Sequence, residues 1–255
     1  MRIAPEWVRA RERMASNSLC EQAQATAGIS ILEAMHDPGL FARWFSGETW
    51  QAWEVFLSAL LGLPLDKEKF SVFRRHTGRN GAPREPCREG WVVAGRRAGK
   101  SLVAALVAVY LAYFRDYREF LGPGERATVM VIAADRRQAR VVFRYIAGLI
   151  DGVLMLSRMV ESRTSETINL NNRVTLEVHT ASFRAVRGYA VAAAICDEVA
   201  FWRSEDSANP DTEILNGLRP GMATIPGALL AVHQLPLRAP WSVVGSLPPA
   251  LRPGK

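Results

Sequence analysis

The sequence predicts an α/β fold with a central, mostly parallel sheet and helices on both faces. Three observations predict it. Short, continuous apolar runs at residues 91–94 (WVVA), 127–133 (ATVMVIA) and 191–196 (VAAAIC) read as buried strands. The first two are each followed by a stretch of helical spacing, residues 100–114 and 135–150. Strand then helix, repeated, lays successive strands parallel, because a crossover along the sheet face is what joins them.

The elements follow in order. Residues 1–45 read as helical and amphipathic, with a break at Asp37-Pro38-Gly39. Helical periodicity resumes over residues 50–63 (WQAWEVFLSALLGL) and ends at Gly62 and Pro64. Residues 74–88, rich in Arg, Gly and Pro, read as a loop. The strand at 91–94 passes through a Gly/Arg turn into the helix at 100–114, and the second strand and helix follow. Residues 167–170 and 173–180 alternate apolar with polar around Asn171-Asn172, which predicts a hairpin. The strand at 191–196 runs into Asp197-Glu198. No internal repeat is visible.

Composition excludes several classes. With 255 residues, 49% of them hydrophobic and 22% charged, the chain can bury a sizeable core and is not disordered as a whole. The net charge of +7 suits a polyanionic partner, and equally suits a merely basic protein; charge alone does not choose. Cys20, Cys87 and Cys196 have neither ligand spacing nor a framework pattern, so neither a zinc site nor a disulfide scaffold is expected, and a reducing cytoplasm is the natural setting. The N-terminus lacks the apolar core of a signal peptide, and the longest apolar run, 102–114, is too short to span a bilayer. A soluble protein without a membrane partner is expected.

The chemistry begins at Ala94-Gly95-Arg96-Arg97-Ala98-Gly99-Lys100-Ser101, which is G-x-x-x-x-G-K-[ST] with alanine for the first glycine. In this phosphate-binding loop, backbone N–H groups and a helix N-terminus surround the phosphates, the lysine reaches the β and γ oxygens, and the hydroxyl coordinates Mg²⁺. The strand before it and the helix after it are the context the motif requires. Hydrolysis also needs a carboxylate to hold the magnesium shell and a second to position and deprotonate water. Asp197 is assigned to magnesium, and Glu198 to the water. Cofactors are therefore ATP and Mg²⁺, with Lys100, Ser101 and Asp197 as the principal binding residues.

Arg96 is assigned to neutralising charge on the γ-phosphate, a finger supplied within the loop. Arg97 is read as facing solvent or pairing with an acid, although it lies within the loop. Trp50-Gln51 is placed on a helix where the ring could stack on adenine and the amide bond its edge; a core tryptophan beside a surface glutamine fits nearly as well. Arg184 and Arg187, just before the last strand, read as nucleotide sensors, DNA-phosphate contacts or plain loop charges.

Taken together, residues 45–230 resemble the large terminase subunit of tailed bacteriophages. The resemblance rests on FSGETWQAWEVFLSALLGLPL, the TGR before the loop, VVAGRRAGKS, VIAADRRQARVVFRYI, TASFRAVRGYAVAAAICDEVAFW and NPDTEILNGLRPGMATIPGALL, in that order. It implies that residues 95–101 are the Walker A loop, with Arg96 at that family's loop arginine, that Asp197 and Glu198 are the Walker B pair, and that Trp50-Gln51 lies near the adenine. It implies an ATPase driving double-stranded DNA into procapsids, encoded by a phage or prophage and working in the host cytoplasm. Its partners would be DNA, a small terminase subunit, a portal and a homo-oligomeric ring. A helicase-like DNA ATPase is the alternative within the same fold, and it should show further motifs after Asp197-Glu198, which do not occur.

The expected organisation is a helical segment (1–45), a P-loop ATPase domain (46–230) and an atypical tail (231–255), without the nuclease domain of full-length terminases. After residue 230 the resemblance predicts a strand and a coupling motif like I-S-S-P-Y. The chain instead reads AVHQLPLRAPWSVVGSLPPALRPGK, with no acidic residue after Glu213. Codons exist for 233–255 that, read one base later, spell I-S-S-P-Y-A-P-R-G-A-L-W-E-A-Y-R-R-H-F-G-Q. The tail is therefore read as a frameshift product, against a genuine divergent tail. On that reading the coupling strand is lost, a sheet edge is left unpaired, and the chain is a nucleotide- or DNA-binding remnant.

Overall fold

The computed structural model describes residues 28–182, 188–202 and 210–234. Among the described residues helix α1 (Ile31–His36) comes first, followed by α2 (Gln51–Leu60) and α3 (Lys67–Thr77). Strand β1 (Glu89–Val93), helix α4 (Lys100–Phe114), β2 (Ala127–Ala133) and helix α5 (Arg136–Asp151) form two strand-helix units. The short α6 (Leu154–Ser157) leads to β3 (Val160–Arg163), β4 (Thr167–Leu170) and β5 (Val174–Thr180). Strand β6 (Ala190–Asp197), helix α7 (Pro210–Met222) and β7 (Leu229–Gln234) complete the order.

The predicted α/β class is found. Seven strands make one sheet in the order β1-β7-β6-β2-β5-β4-β3. The pairs β1-β7, β7-β6, β6-β2 and β2-β5 are parallel, and β4 runs antiparallel to both β5 and β3. Strand β2 shows why its sequence is apolar throughout: Val129 and Val131 join the core that holds α4 and α5, while Met130 and Ile132 join the cluster beneath Ile214, Leu215 and Leu218 of α7. A strand covered on both faces has no polar side to alternate with. Residues 103–113 of α4 are buried without interruption, so this helix is a central pillar of the fold.

Several boundaries differ from expectation. Residues 74–77 are helical: α3 begins with the Asp66 carboxylate accepting from the Lys69 N–H at 2.8 Å and ends at Gly78, φ +68. Its basic last turn, which reads as loop composition, is favourable at a helix C-terminus. Strand β3 and helix α7 were not predicted. The expected break at Asp37-Pro38-Gly39 is present, with an Asp37 oxygen accepting from the Gly39 N–H at 2.6 Å.

The largest correction concerns β7. The strand expected to be lost runs through to Gln234 and pairs with β6 on one side and β1 on the other. Ala231, Val232, His233 and Gln234 are all buried, so the boundary at residue 231 falls inside a core strand. Residues 235–255 and the frameshift reading of them lie outside the described residues, as do residues 1–27 of the N-terminal segment. No described helix is long and apolar enough to cross a membrane.

Candidate active site

Strand β1 stops at Val93 and α4 starts at Lys100, so residues 94–99 form the loop at the C-terminal edge of the parallel strands. The turn needs a left-handed residue at Gly99, φ +83, and a side chain there would also strike the Trp50 ring, 2.8 and 2.9 Å from the added Cβ. Arg97 takes φ +62, a conformation costly for a residue with a side chain. Two tryptophans brace this loop. Trp50 packs against Gly99 and meets Phe45 edge-on, ring centroids 4.9 Å apart, and Trp53 Nε1 donates to the Ala98 carbonyl at 2.7 Å.

Lys100, at the first turn of α4, donates from Nζ to the carbonyls of Ala94 and Gly95, both at 3.0 Å. The same nitrogen is 3.8 Å from Glu198 Oε1. Asp197 and Glu198 reach this point because β6 ends at the same edge of the sheet. Asp197 is 6% exposed; its Oδ2 accepts from Gln138 Nε2 at 3.2 Å, and its backbone carbonyl accepts from Trp202 Nε1 at 3.1 Å. Burial raises the Asp197 pKa, opposed by the Gln138 hydrogen bond and the Lys100 charge.

Glu198 turns the chain in the left-handed region, φ +53, and its N–H donates to the His233 carbonyl at 2.9 Å. Its Oε2 lies 3.4 Å from Gln234 Nε2, while Gln234 Oε1 accepts from the Ala200 N–H at 2.9 Å. The end of β7 therefore supports the glutamate from behind. It also supports the loop, since the Ala94 N–H donates to the Gln234 carbonyl at 3.0 Å.

A cleft of about 560 Å³ gathers these groups. Of the residues singled out from sequence, Arg96, Arg97, Ala98, Gly99, Lys100, Ser101, Trp50, Asp197 and Glu198 line it. Gly95 contributes its carbonyl to Lys100 but is not part of the lining, and Gln51, exposed at the start of α2, is not part of it either. The Trp50-Gln51 pair is thus split. Arg96 and Arg97 are both exposed at the mouth. Arg184 and Arg187 lie outside the described residues.

Contributors that the sequence reading missed include Leu102, Gln234, Trp53, Gln138, Val141 and Tyr145. The last three sit at helical spacing on α5, directly after a parallel strand, which is the signal that could have found them. Among the described residues no group of three or more His, Cys, Asp or Glu can hold a metal. Ser101, Asp197 and Glu198 line one cleft and are its hydroxyl- and carboxylate-bearing side chains. Such a sparse set fits Mg²⁺, which keeps waters and phosphate oxygens in its shell.

Comparison with known proteins gives one family match: residues 92–210 fit the model described as terminase large subunit, T4likevirus-type, N-terminal. The fitted stretch includes the loop, Gln138 and both acids. Among solved structures, the chain is similar to the HK97 bacteriophage large terminase, with 16% identity and a TM-score of 0.45 over 74% of this chain and 38% of that one. It is also similar to the large terminase ATPase domain of Thermus phage P74-26, with 16% identity and a TM-score of 0.46 over 73% of this chain and 70% of that one. The chain thus spans well under half the length of the HK97 protein. No curated protein matches its sequence.

Proposed function

We propose, from the match of residues 92–210 to the terminase large-subunit N-terminal model, that the cleft binds magnesium-ATP and hydrolyses it to drive double-stranded DNA into a procapsid. The observation that carries this reading is the convergence of Lys100, Asp197 and Glu198 at one edge of a parallel sheet. In this reading the backbone of residues 95–101 and the N-terminus of α4 hold the phosphates. Lys100 exchanges its two neutral carbonyl acceptors for anionic phosphate oxygens, a stronger pairing.

Ser101 and Asp197 would hold magnesium, which would neutralise phosphate charge. Gln138 orients the Asp197 carboxylate. Glu198 accepts the proton of the attacking water, fixed in place by its strained backbone and by Gln234. Arg96, exposed at the mouth, turns its guanidinium to the γ-phosphate charge. Trp50 supports Gly99 and walls the cleft. The partners proposed with this function are DNA, a small terminase subunit, a portal and further copies of the chain in a ring; the net charge of +7 suits the first of them.

The test is magnesium-dependent phosphate release from ATP by the purified chain and by Glu198→Gln, with ATP binding measured in both. Turnover in the wild type, and binding without turnover in Glu198→Gln, supports the reading. Binding without turnover in the wild type reduces it to a nucleotide-binding protein. Absence of binding contradicts it.

A further inference from the structure

We propose that the nucleotide's base stacks on Tyr145, an assignment that rests on the nucleotide site proposed above. Tyr145 lines the cleft and is 44% exposed, a large aromatic ring on the open side of α5. The adjoining stripe of the same helix, with Ala139, Val142, Phe143 and Ile146, is buried and already supplies its packing. The Tyr145 side chain makes no hydrogen bond, ion pair or ring contact with the other described residues.

Its position along the helix matters more than its exposure. Gln138, Val141 and Tyr145 follow one another at helical spacing and all line the cleft. Gln138 touches the Asp197 carboxylate, which marks its end of the stripe as the phosphate and metal end. Tyr145 lies two turns further, about 10 Å along the axis, with half-buried Val141 between them. That interval leaves room for a ribose between phosphates and base.

The other aromatic wall has a different task. Trp50 is pressed against Gly99 and edge-on to Phe45, so its ring supports the loop. Among the described residues the free aromatic face in the cleft is that of Tyr145, and an aromatic face takes any base by stacking.

Calorimetric titration with ATP and with inorganic tripolyphosphate, each with magnesium, separates the base from the phosphates. Tyr145→Ala is expected to bind ATP roughly tenfold more weakly than the wild type and tripolyphosphate equally well, while Tyr145→Phe binds both like the wild type. An unchanged ATP affinity in Tyr145→Ala, or an equal loss for both ligands, overturns the assignment. A wild type that binds tripolyphosphate as tightly as ATP also overturns it, leaving the phosphate site intact. If the wild type binds neither ligand, the nucleotide site itself fails and the assignment falls with it.

Discussion

Lys100 Nζ lies 3.8 Å from Glu198 Oε1, and each side chain is only 10% exposed. A single cation thus spans the loop carbonyls of Ala94 and Gly95 and the carboxylate at the end of β6. Lys100→Ala is expected to weaken ATP binding by at least about tenfold through loss of a charge-assisted contact. It should also lower Tm, because the loop carbonyls lose their donor. Titration calorimetry and thermal unfolding of the two chains check this.

Asp197 and His233 are direct partners in the β6-β7 register, and they respond to pH with opposite signs. Burial, with the Lys100 charge behind it, pushes the His233 imidazole down from 6.5 to about 4. The unfolded chain therefore binds a proton that the folded chain refuses. Stability is complete above pH 6.5 and falls as pH drops towards 4, by about 3 kcal/mol. Burial raises Asp197 instead, so its protonation favours the folded chain as pH falls. His233→Leu is expected to flatten the acid-side loss of stability, and Asp197→Asn to steepen it. Urea unfolding at stepped pH reads both.

Gln138 donates to Asp197 at 3.2 Å and so orients the proposed magnesium ligand. Outer-shell partners of metal ligands are typically worth 10–100-fold in metal affinity. Gln138→Ala should raise the magnesium concentration for half-maximal ATP turnover by roughly tenfold, with little change in Tm. A magnesium titration of the steady-state rate measures it.

Much of this was legible in the sequence, and the misses have physical causes. The strand, loop and helix around Gly99-Lys100-Ser101, the second strand and helix, the hairpin at Asn171-Asn172 and the strand before Asp197-Glu198 all announce themselves locally, by apolar runs and turn residues. Strand β3 does not, because VESR is a mostly exposed edge with no apolar face to pattern. Helix α7 carries Gly217 and Pro220, which read as breakers, yet Ile214, Leu215 and Leu218 hold it on the sheet. The end of β7 merges in composition with the Pro- and Leu-rich stretch after it; its strand character comes from β1 and β6 on either side. Helical spacing after β2 marks Gln138 and Tyr145 as one stripe of α5, but that this stripe faces Asp197 emerges only from the tertiary structure.

Gly99 answers to two constraints at once, a left-handed backbone and the Trp50 ring beneath it. Gly99→Ala is expected to lower Tm and to reduce ATP affinity more than tenfold, roughly the effect of displacing several phosphate-binding N–H groups. Trp53→Phe, which removes the bond to the Ala98 carbonyl and part of a buried ring packed against Phe56 and His233, should cost about 2 kcal/mol of stability and leave binding largely intact. Chemical denaturation and calorimetry on the two variants distinguish these outcomes.

The central claim is that residues 95–101 hold the phosphates while Ser101 and Asp197 face the magnesium. A crystal structure of the chain with a non-hydrolysable ATP analogue and Mg²⁺ tests it most directly. The account predicts triphosphate density wrapped by the loop, Lys100 withdrawn from the Ala94 and Gly95 carbonyls onto phosphate oxygens, and a metal between Ser101 and Asp197. Nucleotide bound elsewhere, or Lys100 unmoved at saturating analogue, would contradict it.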